Sequence, residues 1–285
     1  MNYRHIYHAG NFADVFKHLL LSRALGYLNK KQKPYFMLDT HGGIGRYDLT
    51  EEQANKTGEY EQGISQLFRD SDAPEFTDDY LQVIRQLNET DEVRYYPGSP
   101  WLSGSLMRAQ DRLIVCELHS QDGETLKHNI VSAASECSVQ VLAPQNGYQA
   151  VSALLPPPEK RGLVLIDPPF EQLDEFDQVV TALTKGLKRW QTGSYAVWYP
   201  IKDTVKIAAF HRDVAAINDI PKTLVIELMI RSTDGGKGLH GCGFVWVNPP
   251  FGLVNELDQL LAYLRDQLAQ SAGAESHYRW LVEEG

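Results

Sequence analysis

The sequence predicts an α/β fold of the doubly wound, Rossmann-like kind. It expects a seven-stranded, mostly parallel sheet, an antiparallel last strand and a small helical insert. Three observations predict the α/β architecture: short β-rich runs recur seven times, helical stretches separate most of them, and several runs are apolar throughout, as suits strands buried on both faces of a parallel sheet. The 285 residues provide ample chain for a core, and the 43% hydrophobic and 22% charged content excludes collagen, coiled coil and disorder. No apolar run approaches the roughly 18–20 residues of a membrane span. The N-terminus lacks the apolar stretch of a signal peptide, and Cys116, Cys137 and Cys242 include no Cys-x-x-Cys pair. The expectation is one cytoplasmic, monomeric domain over residues 1–285, without a disulfide framework, a metal site or a membrane partner.

The elements follow in order. A first helix begins near Asn11, whose side chain can accept from an early backbone N–H, and runs to about Leu28, ahead of Pro34. Val15, Phe16, Leu19, Leu20 and Leu25 give it an apolar face. Tyr35 to Leu38 form the first strand. The segment 48–93 then shows Ile64, Leu67 and Phe68, and further on Tyr80, Leu81, Ile84 and Leu87, at helical spacing, and reads as the helical insert. Twelve acidic and three basic residues lie between Glu51 and Glu92, so this insert holds nearly all of the net charge of −10. Overall acidity therefore does not exclude a nucleic-acid partner, because the remaining surface is free to carry basic patches.

Further strands run from Leu113 to Cys116, Val139 to Leu142 and Leu163 to Ile166, the last behind the stiff Pro156-Pro157-Pro158 loop. Tyr195 to Trp198 give a fifth. Thr223 to Leu228 and Gly243 to Val247, joined across Gly235, Gly236 and Gly238, suit a hairpin, hence the antiparallel last strand.

Chemistry concentrates where strands end. The first is followed by Asp39-Thr40-His41-Gly42-Gly43-Ile44-Gly45-Arg46, whose glycines let backbone approach a nucleotide-like ligand where a side chain would clash. The second strand ends at Glu117, placed to hydrogen-bond ribose hydroxyls, and the third precedes the turn Asn146-Gly147. The most specific signal is Asp167-Pro168-Pro169-Phe170 after an apolar strand. These residue types suit methylation of an exocyclic amine, whose lone pair is delocalised into its ring. Hydrogen bonds from the two N–H groups to the Asp167 carboxylate and the Pro168 carbonyl localise that pair, the prolines preorganise both acceptors, and Phe170 offers a stacking surface. Asp167 can also take the proton lost from nitrogen. Asn248-Pro249-Pro250-Phe251 has similar form, but if it follows an antiparallel strand it lies at the opposite sheet edge and closes a structural turn.

Taken in order, these motifs resemble the class I S-adenosylmethionine-dependent amino-methyltransferases. The opening Tyr3-Arg4-His5-Ile6-Tyr7-His8-Ala9-Gly10-Asn11-Phe12-Ala13-Asp14-Val15-Phe16-Lys17-His18, with Arg94-Tyr95-Tyr96-Pro97-Gly98-Ser99-Pro100 and Tyr199-Pro200, resembles the bacterial RlmJ family, across essentially the whole chain. The resemblance implies N6-methylation of an adenine in 23S rRNA, adenine 2030 in that family, with S-adenosylmethionine as cofactor. By carry-over His18, His41, Ser99, Glu117, Asn146, Gly147 and Asp167 would contact the cofactor. Asp167, Pro168 and Phe170 would form the catalytic set, and Tyr3, Arg4, Lys17 and Phe170 would meet the RNA, with Arg46 a further phosphate contact. His41 stands where class I proteins generally have a glycine, in agreement with the narrower family. Asn146 stands where Asp is expected, a neutral acceptor for a charged one. Other readings stay open: a DNA adenine methyltransferase, since the motif sees only the base; a nucleic-acid-binding or uptake protein without catalysis; a protein glutamine methyltransferase; and a metal site built from His5, His8, His18 and His41.

Overall fold

Asn11 starts helix α1 (Phe12–Asn29) by accepting from the N–H groups of Ala13 and Asp14 at 2.9 and 3.0 Å. The structure is a computed structural model that describes residues 4–133, 136–233 and 238–283; Tyr3, Gly235 and Gly236 lie outside the described residues. Helix α1 is buried on nearly every side, so its polar residues Asp14, Lys17, His18 and Ser22 all need partners inside the protein.

Strand β1 (Phe36–Asp39) follows. The short antiparallel ribbon of β2 (Arg46–Asp48) and β3 (Tyr95–Pro97) brackets the insert, which contains helices α2 (Glu52–Thr57), α3 (Ile64–Arg69) and α4 (Asp78–Leu87). Ile64, Leu67, Tyr80, Leu81 and Ile84 are buried in the same apolar cluster as α1, which accounts for their helical spacing. Helix α5 (Ser99–Leu106) leads into β4 (Arg112–Cys116), α6 (Ser120–Ala133), β5 (Ser138–Leu142), α7 (Gly147–Leu154) and β6 (Gly162–Ile166). Then come α8 (Glu175–Arg189), β7 (Ser194–Ile201), α9 (Thr204–Ala215), β8 (Thr223–Met229), β9 (Gly241–Val247), α10 (Phe251–Val254), α11 (Leu257–Leu268) and β10 (Glu275–Val282).

The main sheet has the order β10-β8-β9-β7-β6-β1-β4-β5. Strand β1 is central, pairing in parallel with β4 on one side and β6 on the other. Strand β9 runs antiparallel to both β7 and β8, as the hairpin expectation requires. Burial alternates along the strands. Leu113, Val115, Leu163 and Leu165 join the cluster containing α1, α5, α6 and α11, whereas Ile114, Cys116, Val164 and Ile166 join the one containing α7, α8 and α9. Helices therefore cover both faces of the sheet, and β6, at its centre, is buried along its whole length, whereas the edge strand β5 is exposed or half-buried.

The sheet has eight strands, one more than expected, because β10 pairs antiparallel to β8 and forms the outer edge. Its residues, Glu-Ser-His-Tyr-Arg-Trp-Leu-Val, are exposed or half-buried along its length, so it shows no apolar run. Strands β2 and β3 are three residues each, too short for a periodicity to register. Among the described residues no helix is long and apolar enough to cross a membrane.

Candidate active site

Parallel order places the C-terminal ends of β1, β4 and β6 at one edge of the sheet, on either side of the point where the chain reverses its direction of travel across it. A cleft of about 500 Å³ opens there, walled by the loops after these strands and by α1. Glycine is required at two points of its rim. Gly43 has φ +58°, and a Cβ on Gly147 would lie 2.1 Å from the Thr40 carbonyl oxygen, so the N-terminus of α7 packs directly on the loop after β1.

Glu117 ties that loop to the next. Its carboxylate accepts from the Gly43 N–H at 2.9 Å and from the His119 N–H at 2.8 Å. Burial pushes the carboxyl up from its usual range, and these two bonds oppose that. Asn146 caps α7, accepting from the Gln149 N–H at 3.1 Å, so in this protein the neutral side chain at that position is also a helix cap. Asp39 is fully buried. One of its oxygens accepts from the His41 N–H at 3.2 Å, and burial raises the carboxyl to about 6 against the opposing pull of the Ser99 hydroxyl and that N–H. His41 lies 2.8 Å from the Thr40 hydroxyl and edge-on to Tyr148, and burial lowers it to about 4. Ser99, the first residue of α5, is buried and lines the cleft.

On α1, Asp14, Lys17 and His18 stand at i, i+3 and i+4 and so share one face. Lys17 Nζ is 2.9 Å from Asp14 and 2.6 Å from Asp167, the residue that follows β6. Asp14 also pairs with His5 at 2.8 Å and accepts from the Gly10 N–H at 3.0 Å. Burial alone would lower the Lys17 ammonium, but the two carboxylates override it and hold it well above its usual range. Burial likewise acts to raise Asp14, and the charges of His5 and Lys17 reverse that, leaving it well below the ordinary carboxylate range. His18 is kept neutral: burial, and then the Lys17 charge, lower it to about 3. Its Nδ1 bonds Tyr96 Oη at 2.7 Å, and its Nε2 has no partner among the described residues.

The cleft thus brings together Arg4, Lys17, His18, His41, Ser99, Glu117, Asn146, Gly147, Asp167 and Pro168. Three expected residues have surroundings that their motifs did not foretell. Lys17 is buried and paired with two carboxylates. Phe170 has φ 51°, and its ring packs on Phe176 at 4.8 Å and sits 6.0 Å from Trp198; the aromatic residues that line the cleft are Trp198, from β7, with Tyr47 and Tyr148. Arg46 lies over the Tyr95 and Trp101 rings at 4.9 and 5.4 Å, away from the cleft lining. The four histidines of the metal reading go to separate partners: Asp14, Glu59, Tyr96 and Thr40 for His5, His8, His18 and His41. Asn248 donates to the carbonyls of Gln191 and Gly193, both at 2.9 Å, at the opposite sheet edge, as the topological argument expects.

Sequence reasoning missed Asp14 as a site residue, though its spacing from Lys17 and His18 was a usable signal. It also missed Trp198 and Lys202, which line the cleft from β7 and the residue after it. Their signal was weaker, the C-terminal end of a strand neighbouring β6.

An open sheet of this order, a cleft at the ends of β1, β4 and β6, and an Asp-Pro-Pro turn at its floor define a class I S-adenosylmethionine-dependent methyltransferase. The family model described as ribosomal RNA large subunit methyltransferase D, RlmJ, matches residues 32–282, and the chain belongs to that family. It is 41% identical over 285 residues to ribosomal RNA large subunit methyltransferase J of Haemophilus influenzae and 37% identical over 284 residues to the Escherichia coli protein of the same name, with both chains fully covered in each comparison. A crystal structure of a Legionella pneumophila protein, 36% identical, superposes with a TM-score of 0.87 over 98% of both chains.

Proposed function

We propose that this protein methylates N6 of one adenine in 23S rRNA, acting in the cytoplasm as a monomeric single domain with a helical insert. The observation that carries the reading is Asp167, held 2.6 Å from the buried Lys17 ammonium, at the floor of the cleft lined by His41, Gly43 and Glu117. The names of the two bacterial relatives, both large-subunit rRNA methyltransferases, support the substrate class.

The residues present fit S-adenosylmethionine. His18 Nε2 is a buried polar atom without a partner among the described residues, and Glu117 retains lone pairs for ribose hydroxyls beyond the two backbone bonds it accepts. Asn146 and Gly147 stand at the adenine end, with His41 and Ser99 completing the pocket. Bound there, S-adenosylmethionine supplies an electrophilic methyl group.

The chain does the rest. The target base must leave its helix to reach the cleft, where Trp198, with Phe170 packed behind it, gives a stacking wall. Asp167 and the Pro168 carbonyl accept the two N–H groups of the exocyclic amine, concentrating its lone pair on nitrogen in the direction of the methyl group. Lys17 fixes the carboxylate for this task, and Asp167 receives the proton that nitrogen sheds after transfer. Arg4 and Lys202, on the cleft lining, contact the RNA strand, and Tyr3 is a further RNA contact by family likeness.

The test incubates the protein with labelled S-adenosylmethionine and 23S rRNA from cells lacking the activity, beside matched DNA, and maps the label by mass spectrometry. N6-methyladenosine at one rRNA site, lost in Asp167→Ala, is expected. Label on DNA alone overturns the RNA assignment, and transfer to neither overturns the nucleic-acid reading.

A further inference from the structure

Three side chains from separate segments form a hydrogen-bonded chain behind the cleft. Tyr80 Oη, on α4 of the insert, is 2.9 Å from Tyr96 Oη on β3, which is 2.7 Å from His18 Nδ1 on α1. All three residues are fully buried. Neither phenol has another partner among the described residues, and His18 lines the cleft with Nε2 unpaired.

Counting protons selects one arrangement. If His18 Nδ1 carried the hydrogen, it would donate to Tyr96 and Tyr96 to Tyr80. The Tyr80 hydroxyl proton would then be buried with nothing to accept it, a state folded proteins avoid. In the reverse order Tyr80 donates to Tyr96 and Tyr96 donates to Nδ1, so the proton of the neutral imidazole sits on Nε2. The imidazole is neutral because burial lowers its pKa to about 3. Of the three side chains' protons, the one then left without an acceptor is on Nε2, which is also buried but, unlike the Tyr80 hydroxyl, belongs to a residue lining the cleft, where a bound ligand can accept it.

We infer that Tyr96, backed by Tyr80, is a positioning residue that fixes His18 as an Nε2–H donor to the carboxylate at the methionine end of the cofactor. This rests on the assignment of the cleft to S-adenosylmethionine. If Asn146 and Gly147 hold the adenine and Glu117 the ribose, the remaining end of the cofactor would lie towards α1, and its carboxylate is the acceptor that a lone N–H selects. Lys17 cannot serve there, being paired with Asp14 and Asp167. The insert thereby enters cofactor recognition through Tyr80 without touching the cofactor, and the bonds of the chain polarise one another in the same direction.

Tyr96→Phe keeps the ring and removes the hydroxyl that orders the imidazole. By calorimetric titration it should bind S-adenosylhomocysteine about tenfold more weakly than the unaltered protein. It should bind 5′-methylthioadenosine, which lacks the amino-acid portion, equally well. A second measurement does not depend on that variant folding. Nitrogen-15 shifts of His18 in the unaltered protein, assigned by their loss in His18→Gln, should show a protonated Nε2 and an acceptor Nδ1. A protonated Nδ1, unchanged S-adenosylhomocysteine binding in Tyr96→Phe, or equal weakening of both ligands overturns the inference. Failure of both ligands to bind the unaltered protein overturns the cofactor assignment instead.

Discussion

Between Asp14 and Asp167, the Lys17 ammonium compensates two carboxylates in a place where water reaches none of the three freely. Charges buried this way are tolerable only as a set, and removing one member leaves the others uncompensated. Lys17→Met should therefore cost about 3–5 kcal/mol in urea unfolding. Asp167→Asn, which preserves the 2.9 Å Lys17–Asp14 pair, should cost far less stability yet lower methyl transfer at least about a hundredfold. A Lys17→Met protein as stable as its parent would show that the pairing does not govern this site. The same scale decides where the Phe170 ring lies. A motif reading assigns the ring to the base, but whether a ring faces a cleft depends on the φ of its own residue and on its neighbours; here φ 51° and the contact with Phe176 set it behind the lining, which Trp198 shares with Tyr47 and Tyr148.

At the level of elements, two similar tetrapeptides have opposite fates. After parallel β6 the chain turns with its positive φ at Phe170, the fourth position. After antiparallel β9 the positive φ falls at Asn248, the first, whose amide closes on Gln191 and Gly193. Asparagine tolerates that conformation better than most residues. Asn248→Ala should accordingly lose about 1–2 kcal/mol of stability from the two bonds and the backbone strain while kcat/KM stays at the parent value. A large fall in kcat/KM at unchanged stability would reverse the assignment of the two turns. This distinction was legible in the sequence because strand direction follows from the Gly-rich hairpin. So were β1 and β4 to β9, most of whose apolar runs report burial on both faces. Strands β2, β3 and β10 were not, since a three-residue ribbon and a half-exposed edge strand owe their existence to pairing with distant partners. The chain Tyr80–Tyr96–His18 was equally hidden, because its members are 16 and 78 residues apart in sequence and meet only through the fold.

Across the whole molecule, the negative charge in the insert and the neutral histidines in the interior act on stability through different physics. Burial holds His18 at about 3, and His41 and His211 at about 4, against roughly 6.5 in an unfolded chain. Below pH 6.5 the unfolded protein gains three protons that the folded protein refuses, so the contribution of these groups is complete above that pH and is lost as the pH falls towards 4. His8 and His277 act in the opposite sense. Their bonds to Glu59 and Glu227 raise them, giving stability that is present below pH 6.5 and fades as the pH rises through their folded values. Both are more than a third exposed, so solvent and salt diminish their share. Asp14, held well below its usual range, gives up its contribution only in stronger acid, as the pH falls beneath about 4. Asp39, raised to about 6, and Glu117, also raised, take up protons in the folded protein and oppose the loss from the buried histidines, but the three histidines outnumber them, so the free energy of unfolding in urea should drop by a few kcal/mol between pH 7 and pH 5, at roughly 1.4 kcal/mol per pH unit for each net proton. Because that loss comes from desolvation, it should persist in 0.5 M salt, where surface pairs are screened to about 4–5 Å. A stability that is flat or rises on acidification over this interval would mean that the histidines around the cleft are charged in the folded protein, and the neutral imidazole on which the role of Tyr96 depends would fall with it.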